Sequence, residues 1–180
     1  MINKSLSLGL LSGLTLALAA AALAGDSVKI NDLVIAGEMP AVQREATVKA
    51  VRAFYEFWNT GNADLLEQAI AKDFTDRTLP PGRPQGPEGP AFASRQFRAA
   101  VPDLKVTVEK MIVADNYVTV HMSFTGHFTG TFGRTEGKGQ PIAFMATDLV
   151  KVENGRITDN WHIEDNLTLL KEMGVAKVGP

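Results

Sequence analysis

Apolar residues recur at steps of three and four positions through the first half of the chain, which is the period of an amphipathic α-helix. The pattern predicts a first helix from Ala41 to about Asn59, with Gly61 as its left-handed cap. It predicts further helices over 63–72 and 91–100. The apolar stripe of the first helix consists of Val51, Phe54, Tyr55, Phe57 and Trp58.

The second half of the chain changes to a period of two, which is typical of β-strands with one buried face. Helices followed by a run of strands indicate an α+β fold, in which the helices pack against one face of a curved antiparallel sheet. The segment before the first helix is predicted to be an extended lead-in. The predicted strands are 104–113, 117–125, 144–152 and 156–163, with a glycine-rich passage before the last pair.

The last two strands are predicted to form a hairpin, because Asn154-Gly155 is a strong signal for a two-residue turn. In the register favoured by the apolar pattern, Asp148 lies opposite Trp161. A bulge would shift the pairing by one residue, so that His162 and Glu164 would join Asp148 instead. The favoured register places one set of side chains on the buried face: Phe144, Ala146, Asp148, Trp161, Ile163 and Asp165.

Residues 79–90 read LPPGRPQGPEGP and are too rich in proline and glycine for a helix or a central strand. Long loops of this kind are commonly either functional or mobile. The segment is therefore either an ordered loop near the mouth of a pocket or a solvated excursion.

Residues 1–24 have the features of a secretory signal. Lys4 provides the positive start, an apolar run follows, and Ala22-Leu23-Ala24 fits a cleavage site. The prediction is a periplasmic or secreted protein that starts at Gly25, with an extended lead-in over 25–40 and one domain over 41–176. The alternative is an uncleaved membrane anchor, because the run is near the lower limit for spanning a bilayer.

Composition excludes several classes of function. The formal net charge is -2 and the charges are scattered, so there is no basic stripe for nucleic acid. The chain has no cysteine, which removes disulfides and thiol chemistry. Its three histidines have no metal-site spacing, and no phosphate-binding glycine motif occurs. We therefore predict no metal and no cofactor, and no membrane contact after signal cleavage.

Asp165 is the first candidate for catalysis, because a carboxyl at the end of an apolar face has a raised pKa and can exchange protons near neutral pH. The alternative is that Asp165 caps the helix that begins near Asn166. Asp148, which faces Trp161 in the favoured register, could orient a substrate. Tyr55 and Trp58 belong most simply to the core, but core aromatics can also line a pocket. His127, in the glycine-rich passage, is a further candidate for substrate binding.

Six segments carry a family resemblance when they are read in order: FYEFWNTGN, KDFTDR, the loop at 79–90, VPDLKVTVEKMIVADNYVTV, TGHFTGTFG and VENGRITDNWHIEDNLTLLKEMG. Over residues 41–175 the chain thereby resembles the SnoaL-like polyketide (ester) cyclases. The resemblance implies the cone-shaped α+β fold shared with ketosteroid isomerase and nuclear transport factor two. In that fold a curved sheet surrounds a long helix and a deep apolar pocket, often in homodimers.

The resemblance further implies cofactor-free ring closure of a small apolar carbonyl compound by an intramolecular aldol step. The carboxylate that follows the tryptophan of the last strand takes the proton in this family, and the Trp-x-x-x-Asp spacing assigns that role to Asp165. The same fold also hosts non-catalytic binding modules, hydratases, epoxide hydrolases and isomerases, so these functions stay open.

Overall fold

The computed structural model of the protein describes residues 28–177. The predicted signal at 1–24 lies outside the described residues. Within residues 28–177, no helix is both long enough and apolar enough to cross a bilayer.

The elements of the chain follow the predicted sequence of helices first and strands afterwards. In chain order they are β1 (Lys29–Ile30), β2 (Leu33–Ala36), α1 (Ala41–Thr60), α2 (Ala63–Ala69), β3 (Ile70–Asp76), α3 (Glu88–Ala100), β4 (Lys105–Ala114), β5 (Tyr117–Phe128), β6 (Thr131–Phe132), β7 (Thr135–Glu136), β8 (Gln140–Glu153), β9 (Arg156–Glu164) and α4 (Asn166–Glu172).

One open seven-stranded sheet forms the body of the fold, with the strand order β1-β4-β5-β8-β9-β3 and β2 also paired with β4. Its centre is antiparallel, as predicted, from β4 through β9. Both edges are parallel, since β3 runs along β9 and β1 and β2 run along β4. These edge strands were not predicted from the sequence.

The core lies between α1 and the inner face of the sheet. Helix α1 packs against β4, β8 and β9 and ends at Gly61, which has the left-handed φ of 71° expected for its cap. Alternate side chains of the strands complete this core, as their period of two requires. They include Val118, Val120, Met122 and Phe124 from β5, and Phe144, Ala146, Val150 and Val152 from β8.

Three predicted boundaries are corrected by the structure. Helix α2 ends at Ala69 rather than at residue 72, because the chain becomes extended at Ile70 and pairs with β9. Helix α3 begins at Glu88, three residues earlier than predicted. The lead-in before α1 forms two edge strands rather than an unpaired extension.

The β8–β9 hairpin has the predicted two-residue turn, with φ of 51° at Asn154 and 70° at Gly155. The favoured register is nevertheless wrong. Val152 pairs with Ile157, but Lys151 pairs with Asp159, so Thr158 is an extra residue in β9 and forms a β-bulge. Beyond the bulge, every side chain of β9 lies on the face of the sheet opposite to the one that the favoured register predicts.

Candidate functional site

A cavity of about 620 Å³ lies between the inner face of the sheet, helices α1 and α3, and the loop at 79–90. The loop therefore lies at the cavity, which is the first of the two interpretations considered above. Most of the wall is aromatic and apolar. The aromatic lining residues are Phe54, Tyr55, Trp58, Phe74, Phe92, Phe97, Phe124, Phe132 and Phe144.

The aromatic wall is a packed cluster with defined ring geometry. Phe124 and Phe144 are stacked, with centroids 4.9 Å apart and planes 9° apart. Phe97 meets Phe144 edge-on at 5.8 Å, and Trp58 meets Phe124 edge-on at 6.2 Å. A flat apolar molecule can pack against such a wall, since aromatic faces and edges favour offset and edge-on contacts.

Asp148 is a buried carboxyl in the wall of this cavity. Its Oδ2 accepts a hydrogen bond of 2.9 Å from the Tyr55 hydroxyl and a longer one of 3.5 Å from Asn160 Nδ2. Its Oδ1 accepts no hydrogen bond from any residue within 28–177, which leaves that oxygen for a ligand. Burial raises the pKa of Asp148 to about 6, although the Tyr55 hydrogen bond and the charge of His162 act in the opposite direction. Asp148 can therefore gain and lose a proton near neutral pH.

Next to Asp148, His162 lies between two carboxylates. Its Nδ1 is 2.6 Å from Glu164 Oε1, and its Nε2 is 3.1 Å from both carboxylate oxygens of Asp76. Burial disfavours the imidazolium, but the hydrogen bonds and charges of Glu164 and Asp76 outweigh it and raise the pKa of His162 to about 9. Both ring nitrogens are therefore donors at neutral pH, and both are occupied.

The loop at 79–90 is attached to this polar cluster through Asp76. Gln85 Oε1 accepts from the backbone N–H of Asp76 at 2.8 Å, and Gln85 Nε2 donates to the backbone carbonyl of Asp76 at 2.9 Å. Arg83 lines the cavity, with its Nη1 3.5 Å from Asp76 Oδ2. The proline-rich segment is thus an ordered wall of the cavity.

Three of the predicted site residues meet in the cavity: Asp148, Tyr55 and Trp58. Asp165 does not, and the prediction that it lies in an apolar pocket is wrong. It is exposed and caps α4, with Thr168 N–H 3.0 Å from its Oδ1 and the Thr168 hydroxyl 2.7 Å from its Oδ2. These hydrogen bonds lower the pKa of Asp165 below its usual value, which is the opposite of the predicted direction.

Trp161 and His127 also lie outside the cavity. The bulge turns Trp161 to the outer face of the sheet, where its ring is 6.5 Å from that of Tyr117. His127 is exposed, and its Nδ1 lies 2.7 Å from Asp103 Oδ2. Neither side chain is positioned to contact a molecule inside the cavity.

The sequence interpretation missed five polar residues of the site, namely Asp76, Arg83, Asn160, His162 and Glu164. His162 and Glu164 were identified only in the alternative register, which a bulge produces. Asp76 was missed because Ile70 was assigned to the second helix and Phe74 to a short connection, so the strand that carries Asp76 was not recognised. Nothing in the sequence distinguished Arg83 as a site residue, except that it belongs to a loop that could line a pocket.

The polar cluster places one imidazole between two carboxylates. Within residues 28–177, no group of three or more histidine, cysteine or acidic side chains is arranged to hold a metal ion. Asp76 and Glu164 are directed at the imidazole between them. The Asp148 carboxyl and the Arg83 guanidinium are charged groups of the cavity outside that pairing. Further polar groups of its wall are Gln96, Asn166 and the Oδ1 of Asn160, which has no hydrogen-bond partner within residues 28–177.

Comparisons with known proteins place this site in a family context. A family model described as SnoaL-like polyketide cyclase matches residues 48–173. A candidate polyketide cyclase from Bacillus cereus ATCC 10987 is 36% identical, with a TM-score of 0.77, over 84% of this chain and 96% of that chain. IdmH, a candidate polyketide cyclase from Streptomyces antibioticus, is 26% identical, with a TM-score of 0.65, over 72% of this chain and 99% of that chain.

A protein from Catenulispora acidiphila DSM 44928 with a ketosteroid isomerase-like fold has a TM-score of 0.57 and 22% identity, over 72% of this chain and 95% of that chain. At that identity the likeness concerns the fold alone. A search among curated proteins found no match. The comparisons confirm the α+β fold predicted from the sequence.

Proposed function

The chain belongs to the SnoaL-like polyketide cyclase family, and on that premise we propose that it catalyses cofactor-free acid/base chemistry on a small apolar carbonyl compound, with Asp148 as the base. The reaction we propose is an intramolecular aldol-type ring closure. The observation that carries the proposal is a buried carboxyl with one oxygen held by Tyr55 and the other unpaired, in the wall of an aromatic cavity.

The geometry of Asp148 supports its role as a base. Tyr55 and Asn160 fix Oδ2, so the lone pairs of Oδ1 are available to a proton on the substrate. The raised pKa makes the carboxylate a stronger base than an ordinary aspartate, while leaving most of it ionised at pH 7. Burial also raises the pKa of Tyr55, as does the nearby charge of Asp148, so the phenol stays a hydrogen-bond donor.

The proposed step balances without a cofactor. Asp148 takes a proton from the carbon next to a carbonyl group, and the electrons of that C–H bond form an enolate. The enolate carbon then attacks a second carbonyl carbon of the same molecule and forms a carbon–carbon bond. The oxygen of that second carbonyl receives the proton from Asp148. The aromatic walls hold the folded substrate so that its two reacting carbons are close. The substrate then loses less conformational entropy on reaching the transition state than it would in solution.

The first half of this reaction can be tested without the natural substrate. We expect the protein to accelerate deuterium exchange at the α-carbon of 2-tetralone in deuterium oxide, measured by proton NMR. Asp148→Asn should reduce the protein-catalysed rate by about two to four orders of magnitude. Asp165→Asn is the matched control, because Asp165 is an aspartate three residues beyond His162 that lies outside the cavity. Equal rates for the wild-type protein and Asp148→Asn would contradict the proposal.

A non-catalytic binding module is the second candidate, and one observation favours it. Both ring nitrogens of His162 and one oxygen of Asp148 are already paired within the protein. On this alternative, 2-tetralone binds without exchange. Trp58 lines the cavity and Trp161 does not, so binding should change the fluorescence of Trp161→Phe but not that of Trp58→Phe.

We also propose that the protein is exported and forms a homodimer. The support for export is the apolar run and the Ala-Leu-Ala site at 22–24, and intact mass should show a mature protein that starts at Gly25.

The support for a homodimer is the outer face of the sheet. There Met145, Leu149 and Ile163 are exposed large apolar side chains on the two adjacent strands β8 and β9.

A further inference from the structure

We propose that Arg83 is a second catalytic residue, which donates hydrogen bonds to the substrate's carbonyl oxygen and stabilises the negative charge that develops there. This inference rests on the proposed function, because the charge appears only when a base such as Asp148 removes the neighbouring proton. It assigns a chemical role to the loop at 79–90, which is otherwise only a wall of the cavity.

The first argument is that the polar donors beside Asp148 are already occupied. The Tyr55 hydroxyl donates to Asp148, and Asn160 Nδ2 donates to the same oxygen. Both nitrogens of His162 face carboxylates. Gln96 and Asn166 also line the cavity, but they are exposed and uncharged.

Arg83 differs because its donors are free. A guanidinium carries five N–H groups. No side-chain hydrogen bond joins Arg83 to any other residue within 28–177, and its ion pair with Asp76 has 3.5 Å between Nη1 and Oδ2. That separation is longer than a normal charged hydrogen bond. Arg83 therefore combines a permanent positive charge with N–H groups that a ligand can use.

The second argument is that the position of Arg83 is fixed although it lies in a loop. Its backbone N–H donates to the Pro80 carbonyl at 3.2 Å. Its side-chain stem lies against α3 at Gly89, where an added Cβ would be 3.7 Å from Arg83 Cδ. Gln85 joins the next part of the loop to Asp76 through two hydrogen bonds. A donor held in place before the reaction is the kind that stabilises developing charge most effectively.

The third argument is electrostatic. When Asp148 takes a proton from carbon, it becomes neutral and the negative charge moves to the carbonyl oxygen of the substrate. A guanidinium stays protonated over the whole pH range in which proteins are folded, so the Arg83 side chain donates hydrogen bonds and does not compete as an acid. Burial raises the pKa of Glu164, but the hydrogen bond and charge of His162 and then the charge of Arg83 lower it, so the guanidinium lies at the same end of the cavity as Glu164.

Arg83→Met tests the proposal, since it keeps much of the stem and removes the charge and the donors. We expect the rate of 2-tetralone exchange to fall by about 10²–10³, the usual loss on removing one such donor. Arg83→Lys should recover part of the rate. In Arg83→Ala, added guanidinium chloride at millimolar concentration should restore part of the rate. Arg95→Met, which changes an exposed arginine on α3, is the matched control and should leave the rate unchanged.

A second measurement does not depend on turnover. The carbonyl carbon of 13C-labelled 2-tetralone should resonate further downfield in the wild-type protein than in Arg83→Met, because donated hydrogen bonds polarise the carbonyl group. Equal carbonyl shifts, or an unchanged exchange rate together with a strong loss in Asp148→Asn, would overturn the role of Arg83 alone. No exchange in the wild-type protein would overturn the proposed function, and the carbonyl shift would still decide whether Arg83 contacts the ligand.

Discussion

Asp148 on β8 is paired directly with His162 on β9, and both side chains are on the cavity side of the sheet. The two residues have opposite environments. Burial favours the neutral form of Asp148, whereas two carboxylates favour the charged form of His162. A carboxyl with a raised pKa beside an imidazole that is protonated at neutral pH is the kind of perturbed pair that marks a candidate functional site.

The pH dependence of α-proton exchange should report the ionisation of Asp148. The base is active as a carboxylate, so the rate should rise with pH, with a midpoint at about 6. Tyr55→Phe removes a hydrogen bond that lowers the pKa of Asp148, and we expect the midpoint to move to higher pH. NMR exchange rates between pH 4 and pH 9 measure both midpoints. A midpoint unchanged in Tyr55→Phe would contradict the assignment.

Asp148→Asn should make the protein more stable at pH 8 than the wild-type protein. The folded-state pKa of Asp148 is raised from 3.8 to about 6, so its contribution to stability is present below about 3.8 and is lost as the pH rises through 6. A shift of this size corresponds to about 3 kcal/mol at most. Urea unfolding at pH 4 and pH 8 gives the comparison. The variant's advantage should shrink or vanish at pH 4, and the same difference at both pH values would refute the account.

His162 should make stability fall at alkaline pH. Its folded-state pKa is raised from 6.5 to about 9, so the stability that it contributes is fully present below about 6.5 and is lost as the pH rises through 9. We expect the difference in Tm between the wild-type protein and His162→Gln to decrease over this interval. Thermal unfolding followed by circular dichroism measures it. A difference that stays constant from pH 6 to pH 10 would show that the imidazole is neutral in the folded protein.

Asp165 should matter for stability and not for chemistry. Its side chain caps the first turn of α4 through Thr168, so Asp165→Ala should lower the free energy of unfolding. Asp165→Asn should cost little, because asparagine is an equally good cap. Chemical unfolding of the two variants measures these costs. A large stability loss in Asp165→Asn would mean that the negative charge itself is needed.

The proposed homodimer can be tested on the outer face of the sheet. Ile163 is 76% exposed, and Met145 and Leu149 lie on the neighbouring strand. Ile163→Lys and Met145→Lys should shift the protein to the monomer in sedimentation velocity experiments. Val42→Lys, which changes an equally exposed side chain at the start of α1, should not. A dimer that tolerates both sheet substitutions must use another surface.

The sequence predicted the order and type of most elements, because their signals are local. The spacing of apolar residues identified α1 and the central strands, and Gly61 and Asn154-Gly155 marked the end of α1 and the hairpin turn. It predicted Tyr55, Trp58 and Asp148 as site residues, and all three line the cavity.

The remaining parts of the site depend on contacts that the local pattern does not contain. Strand β3 is short and lies at a parallel edge, so Asp76 was placed beyond a helix end rather than in the cavity. The bulge at Thr158 interrupts a pattern in which Ile157, Trp161 and Ile163 alternate correctly for a regular strand. The pairing with β8 shows that the alternation is broken, and it determines that His162 rather than Trp161 faces the cavity.

Thr158 also bears on how this chain is compared with its relatives. Deleting the single codon for that residue would restore a regular ladder without changing the pairs beyond it, so His162 would still lie opposite Asp148. In a relative that keeps the residue but pairs it in a regular ladder, the contents of the two faces would be exchanged, with Trp161 and Ile163 on the inner face and His162 and Glu164 on the outer face. Two homologues could then share an identical C-terminal motif and present different chemistry. Column-by-column transfer of catalytic labels is therefore unsafe for this strand unless the pairing of the last two strands is compared first.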